Sequence, residues 1–189
     1  HYRQRILSFF GRVNYDYNSK YLLSLVLRRD GYSKLPKDNR WGTFPGISAG
    51  WVLSRENFME SCSNVLSYAK IRASYGANGN VSGVLDANGN VVTGLDYYTV
   101  QGSYGIMKDK DGKIVPNYNG KVPLMINDLP NPTMRWEKSY TFETGFDIGF
   151  LNNKYILNFT YYNRRTQDKF AEITLPSHSG VSSFLSNNG

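Results

Sequence analysis

Between Ser139 and Arg164 the chain alternates with period two through two runs separated by four residues. Tyr140, Phe142, Thr144, Phe146, Ile148 and Phe150 alternate with Thr141, Glu143, Gly145, Asp147 and Gly149. After Leu151-Asn152-Asn153-Lys154 the pattern resumes. Tyr155, Leu157, Phe159 and Tyr161 alternate there with Ile156, Asn158, Thr160, Tyr162 and Arg164. An extended chain sends successive side chains to opposite faces, so the stretch predicts a hairpin with one apolar and one polar face. Aromatics crowd the strand ends. A strand that meets hydrocarbon on one side and a wet lumen on the other has this pattern.

The same period predicts six strands, over roughly 5–17, 20–31, 41–54, 68–77, 135–150 and 154–168. In the first, Leu7, Phe9, Val13, Tyr15 and Tyr17 oppose Ser8, Arg12, Asn14 and Asp16. In the second, Tyr21, Leu23, Leu25 and Leu27 oppose Ser24, Val26, Arg28 and Asp30. The third sets Pro45, Ile47, Ala49, Trp51 and Leu53 against Gly46, Ser48, Gly50 and Val52; the fourth sets Ala69, Ile71, Ala73 and Tyr75 against Lys70, Arg72 and Ser74. The connection at 55–67 has room for a helical turn at Glu56–Glu60. Residues 78–133 read as one long irregular loop, rich in Gly, Asn and Asp, with hairpin-turn dipeptides at Asn88-Gly89 and Asp111-Gly112. Connections alternate in length, as in bacterial outer-membrane barrels. By that parity, 18–20, 55–67 and 151–154 face the periplasm, and 31–40, 78–133 and 177 onward face outside. Tyr15, Tyr17, Tyr21, Phe150 and Tyr155 then stand where an aromatic girdle belongs.

Composition changes this picture little. Mean hydropathy is -0.47, but lumen-facing polar residues cancel lipid-facing ones in any window. No apolar run of about 18 residues exists to form a membrane helix. The first residues, His1-Tyr2-Arg3-Gln4-Arg5, carry no signal-peptide pattern, so the chain reads as an interior piece of something longer. Its 22 Lys and Arg exceed 15 Asp and Glu, for a net charge of +7. They are scattered along strands and loops with no dense basic helix, which argues against nucleic acid and for a wet lumen plus loops near membrane lipid and lipopolysaccharide. The single Cys62 excludes an internal disulfide and a cysteine-based metal site.

No constellation calls for catalysis, a metal or a cofactor. Glu143 and Asp147 share a face, but four residues of strand separate them by about 13 Å. That exceeds the span of a glycosidase carboxylate pair. His1 and His178 have no ligand spacing, and Asp109-Lys110-Asp111-Gly112 lacks the closing Glu of a calcium loop. The residues with a prospective role are of three kinds. Tyr97, Tyr98, Tyr104 and Tyr118 lie in the long loop, positioned to stack on a solute or pack against a partner. Arg12, Arg28, Arg72, Glu143, Asp147 and Arg164 face the lumen. Phe9, Leu25, Phe142, Phe146, Leu157 and Phe159 face lipid.

Several segments, in order along the chain, resemble the SusC/RagA-type TonB-linked outer-membrane proteins of Bacteroidetes. They are Phe10-Gly11-Arg12-Val13-Asn14-Tyr15-Asp16-Tyr17, Leu27-Arg28-Arg29-Asp30-Gly31, Asp38-Asn39-Arg40-Trp41-Gly42-Thr43-Phe44-Pro45 and Ile71-Arg72-Ala73-Ser74-Tyr75-Gly76-Ala77-Asn78-Gly79-Asn80. Trp136-Glu137-Lys138, Gly145-Phe146-Asp147-Ile148-Gly149-Phe150 and Tyr161-Tyr162-Asn163-Arg164-Arg165-Thr166 continue the series. The resemblance implies an all-β, antiparallel transmembrane barrel of about 22 strands, of which residues 1–189 supply about six consecutive strands from the later part. It further implies a plug and a TonB box, neither of them among these residues. The implied partners are TonB, acting through the plug, and a SusD-like surface lipoprotein that caps the barrel. The implied activity is energy-coupled import of oligosaccharides or peptides. A soluble extracellular β-sandwich that binds glycans also has short alternating strands; it requires the apolar faces to pack into one closed core. A passive porin or adhesin barrel shares the lipid face and lacks the plug.

Overall fold

The computed structural model describes residues 4–62, 65–85, 91–95, 98–115, 119, 121–176, 179–181 and 183–187. In chain order the strands are β1 (Ile6–Tyr17), β2 (Tyr21–Tyr32), β3 (Trp41–Val52), β4 (Leu66–Asn80), β5 (Val84–Leu85), β6 (Val91–Thr93), β7 (Ser103–Ile106), β8 (Leu124–Asp128), β9 (Glu137–Phe150), β10 (Tyr155–Gln167), β11 (Ala171–Thr174) and β12 (Ser183–Ser186). The six long ones form one antiparallel meander, ordered β1-β2-β3-β4-β9-β10. β5–β6, β7–β8 and β11–β12 form two-stranded ribbons.

Turn chemistry closes the meander at one end. Asn18 and Ser19 take positive φ of 50° and 52°, and the Asp16 carboxylate accepts the Ser19 N–H at 2.6 Å. Asn tolerates this left-handed region because its short polar side chain bonds locally. At 151–154, Leu151, Asn152 and Asn153 all have positive φ. The neighbouring connection holds that turn: the Leu151 N–H donates to the Val65 carbonyl at 2.9 Å and the Asn152 N–H to Ser67 Oγ at 2.6 Å. Two 3-10 turns, Leu53–Arg55 and Asn57–Cys62, fill the third connection at this end.

Register decides which side chains share a face, because residues directly opposite in a ladder point the same way. One continuous row runs Val13, Leu25, Ile47, Tyr75, Phe142 and Asn163; the next runs Tyr15, Leu23, Ala49, Ala73, Thr144 and Tyr161. The opposite face carries rows such as Asn14, Ser24, Ser48, Ser74, Glu143 and Tyr162. The apolar face is not sealed: Phe9 is 59%, Leu157 53% and Phe159 52% exposed. A β-sandwich buries such a face against a second sheet, so this arrangement excludes the sandwich alternative.

The buried core sits at the far end of the sheet. Tyr32, Leu35, Phe44, Ala77, Leu95, Met134, Trp136, Phe170 and Leu185 make one cluster drawn from strand ends and several connections. Here the β3–β4 ladder stops at Gly46 and Gly76, and the Phe44 ring occupies the space that a Cβ on Gly79 would need. Trp136 meets Phe44 edge-on at 5.4 Å and donates its indole N–H to the Arg40 carbonyl at 3.0 Å.

The reading of 78–133 as one irregular loop is corrected. β4 absorbs its first residues, and the remainder holds two ribbons and the short helix Tyr98–Gln101. Strands of two to five residues fall below the length at which alternation shows. The Asp111-Gly112 turn forms, with Gly112 at φ +79° and the Gly112 N–H donating to the Asp109 carbonyl at 3.1 Å. The Asp109 carboxylate accepts the Asp111 and Lys113 N–H groups. Asn88-Gly89 lies outside the described residues.

Candidate functional site

The polar face of the sheet is the candidate site. Gly46, Gly50 and Gly76 fall on it and thin the wall, while Asn14, Asp16, Ser48, Lys70, Arg72 and Glu143 surround an open depression of about 560 Å³. Every acid of the six long strands lies on this face: Asp16, Asp30, Glu137, Glu143 and Asp147. Arg12, Arg28, Lys70, Arg72 and Arg164 join them.

The charges form a wet, cross-linked lattice. Arg72 Nε lies 3.4 Å from Asp147 Oδ2, and its Nη2 donates to Thr160 Oγ1 on β10 at 2.5 Å. One side chain thus ties β4, β9 and β10 together. Arg164 Nε donates to Thr141 Oγ1 at 3.3 Å. Arg28 pairs with Asp30 at 2.6 Å and lies 6.0 Å from the Phe44 ring centroid. Asp30 is 2% exposed, and its Oδ1 and the buried Arg40 Nε have no hydrogen-bond partner among the described residues. Half-exposed ion pairs like Arg72–Asp147 contribute little to stability. Their effect is to keep the surface hydrated and fix its charge pattern.

All six lumen-assigned residues, Arg12, Arg28, Arg72, Glu143, Asp147 and Arg164, stand on this face, and Phe9, Leu25, Phe142, Phe146, Leu157 and Phe159 all stand on the other. Phe146 and Phe159 stack across the β9–β10 ladder at 5.3 Å. Tyr104 is 75% exposed on β7. The backbone of Tyr98 opens a helix of four residues. Tyr97, Tyr118 and the Tyr98 side chain lie outside the described residues.

Two features escaped the sequence reading. Phe10, at 81% exposure, joins Ile156 and Tyr162 as a large exposed apolar side chain of the edge strands β1 and β10 on the face that carries the charges. At the turn end, Glu56 gathers three donors from three elements. Tyr21 Oη donates to it at 2.8 Å, Trp51 Nε1 at 3.1 Å and Lys20 Nζ at 3.2 Å. The indole N–H bond first, then the phenol and the ammonium, hold the Glu56 carboxyl below its ordinary value. Only the register that sets Tyr21 opposite Trp51 reveals this cluster.

Comparison with known proteins decides what kind of sheet this is. The family described as TonB dependent receptor-like, beta-barrel, matches residues 1–189. The chain belongs to the TonB-dependent receptor β-barrel family. It is 35% identical over 184 residues to TonB-dependent receptor P3 of Formosa agariphila, covering 97% of this chain and 17% of that protein. It is 32% identical over 186 residues to TonB-dependent receptor SusC of Bacteroides thetaiotaomicron, covering 98% and 17%. The RagAB peptide transporter superposes with a TM-score of 0.77 at 26% identity, over 97% of this chain and 18% of that one. This receptor-barrel chain therefore spans about a sixth of the length of its relatives. The family resides in the outer membrane. Among the described residues β1 and β10 each have a ladder on one side only, so the six strands are an open arc of its wall.

Proposed function

We propose that this chain builds wall and outer loops of a SusC-like TonB-dependent importer that carries oligosaccharides or peptides across the outer membrane. The observation that carries the reading is the partition of charge. All acids and most cations of the six long strands line one face, and aromatic and aliphatic side chains cover the other. A wall between a polar solute and hydrocarbon needs that division, because a charge turned toward the bilayer centre costs several kcal/mol.

In this reading Arg12, Arg28, Arg72, Glu143, Asp147 and Arg164 line the path of the solute. Phe9, Leu25, Phe142, Phe146, Leu157 and Phe159 meet acyl chains. The connections 33–40 and 81–136 and the segment after Gln167 face outside, where Tyr97, Tyr98, Tyr104 and Tyr118 contact the solute or a SusD-like lipoprotein lid. TonB supplies energy through a plug contributed by the rest of the receptor. A solute too large or too scarce for passive diffusion explains both lid and plug. The chain performs no chemistry on what it carries. Likeness to SusC and to the RagAB peptide transporter supports import and leaves the two solute classes side by side.

The test uses the full-length receptor in its own cells. Uptake of fluorescent oligosaccharides and peptides is measured in the wild type, a gene deletion and the Arg72→Ala/Glu143→Ala variant. Import predicts that the deletion abolishes uptake of one class, and that the variant reduces it at unchanged outer-membrane abundance. Equal uptake of both classes in the deletion strain refutes the proposal.

A further inference from the structure

The apolar face carries no acid on any of the six long strands, yet its register includes three cations: Arg29, Lys138 and Arg165. All three lie toward the same end, away from the tight turns at 18–20 and 151–154. The four described ion pairs involve none of them. A cation on a lipid-wetted wall is costly at mid-depth and favourable only where an anionic headgroup meets it.

Arg29 is held against an aromatic ring. Its guanidinium lies 5.4 Å from the Trp41 ring centroid, and Trp41 stacks with Phe9 at 6.2 Å. One row below, Gly11, Leu27 and Pro45 pair across three strands. With Leu25, Ile47 and Tyr75 they line an open apolar groove of about 500 Å³. Nothing stands within 4 Å of where a Cβ on Gly11 would lie, so the groove floor is open. Arg165 lies toward the same rim on the other side. It lines a second, more polar depression of about 580 Å³ with Tyr75, Tyr140, Phe142, Tyr161, Asn163 and Gln167. A cation held above an apolar groove, with a second cation beside an aromatic depression on the same rim, matches a lipid whose phosphate sits above its acyl chains.

We infer that Arg29 and Arg165 form a binding rim for the phosphorylated glycolipid of the outer leaflet, the lipid A part of lipopolysaccharide. The phosphate meets the guanidinium, and an acyl chain lies in the Gly11 groove. The inference rests on the reading that this face meets lipid, and it goes beyond that reading by naming headgroup and place. It also fixes the outward end of the sheet independently of loop length.

The full-length receptor in detergent is titrated with diphosphoryl lipid A, dephosphorylated lipid A and phosphatidylglycerol. Bound lipid is counted by native mass spectrometry, and Trp41 quenching by spin-labelled acyl chains is read in parallel. Diphosphoryl lipid A is expected to bind best. Arg29→Gln should weaken it about fivefold and Arg29→Gln/Arg165→Gln about 25-fold, at one headgroup attraction per cation. Gly11→Leu should weaken it with no change of charge, and Arg55→Gln, at the opposite end, should leave it unchanged. Equal binding of the three lipids, or unaltered binding by Arg29→Gln/Arg165→Gln and Gly11→Leu, overturns the rim while quenching persists. Loss of quenching itself overturns the lipid face.

Discussion

Two adjacent residues of β2 test the division of faces most economically. Leu25 points to the apolar face and Val26 to the polar one. On β2 the apolar face is bounded by Tyr21, which stacks with Trp51 at 6.3 Å, and by Arg29 over Trp41. Eight residues at about 3.4 Å each place those boundaries about 27 Å apart along the strand. A tilt of about 40° reduces this to about 21 Å along the membrane normal, close to the roughly 25 Å apolar band of such barrels. Leu25 falls midway and is 45% exposed. Leu25→Arg therefore sets a charge near the bilayer centre, at a cost of about 2–4 kcal/mol. That is roughly a 30- to 1000-fold loss in the ratio of folded to unfolded receptor. Val26→Arg sends the same side chain over Gly46 toward water, with an expected effect within about 0.5 kcal/mol. The assay is guanidinium unfolding of the full-length receptor in lipid vesicles, followed by heat-modified gel mobility. Equal midpoints for the two variants, or a larger loss for Val26→Arg, would refute the reasoning.

Further outcomes follow from the ends of the sheet. Gly79→Val drives a side chain into the Phe44 ring and should cost about 1–3 kcal/mol by overpacking, seen as faster tryptic cleavage at Lys34 and Arg135. Trp136→Phe keeps an aromatic ring and removes the indole donor to the Arg40 carbonyl, which still accepts the Tyr32 N–H; amide exchange over 33–40 should accelerate, matching a loss of about 0.5–1.5 kcal/mol. Glu56 acts through pH. Its carboxyl is held below the ordinary 4.5, so its stabilisation is complete above that value and fades as pH falls through the lowered one. The unfolding midpoint of the wild type should drop more between pH 7 and pH 3 than that of Glu56→Gln.

The fold class was legible because a single constraint, one face in hydrocarbon and the other in water, acts on every second residue of a long strand. Phe142, Phe146 and Phe159 announce it from sequence alone. The buried core was not legible. Tyr32, Phe44, Met134, Phe170 and Leu185 come from separate strand ends and connections and meet only after the strands are in register. Phe44 even stands on the face that alternation marks as polar, beside Arg28. The Glu56 cluster was hidden for the same reason, since nothing local links Glu56 to Tyr21. The ribbon β7–β8 was hidden by distance, its two short strands lying apart along the chain and joined by the Asp109–Lys113 turn. Within the candidate site, residue types along a strand revealed which charges share a face. They did not reveal that Arg72 ties together β4, β9 and β10 through Asp147 and Thr160.

The most direct test is a cysteine scan through β9 of the full-length receptor in lipid vesicles, after replacement of the exposed Cys62. A spin label is placed in turn at positions 141 to 148, and its collisions with oxygen dissolved in the bilayer and with a water-soluble nickel chelate are compared. Labels at 142, 144, 146 and 148 are predicted to meet oxygen, and those at 141, 143, 145 and 147 the chelate, in strict alternation. An unvarying profile, or chelate contact at 142 and 146, would contradict the account.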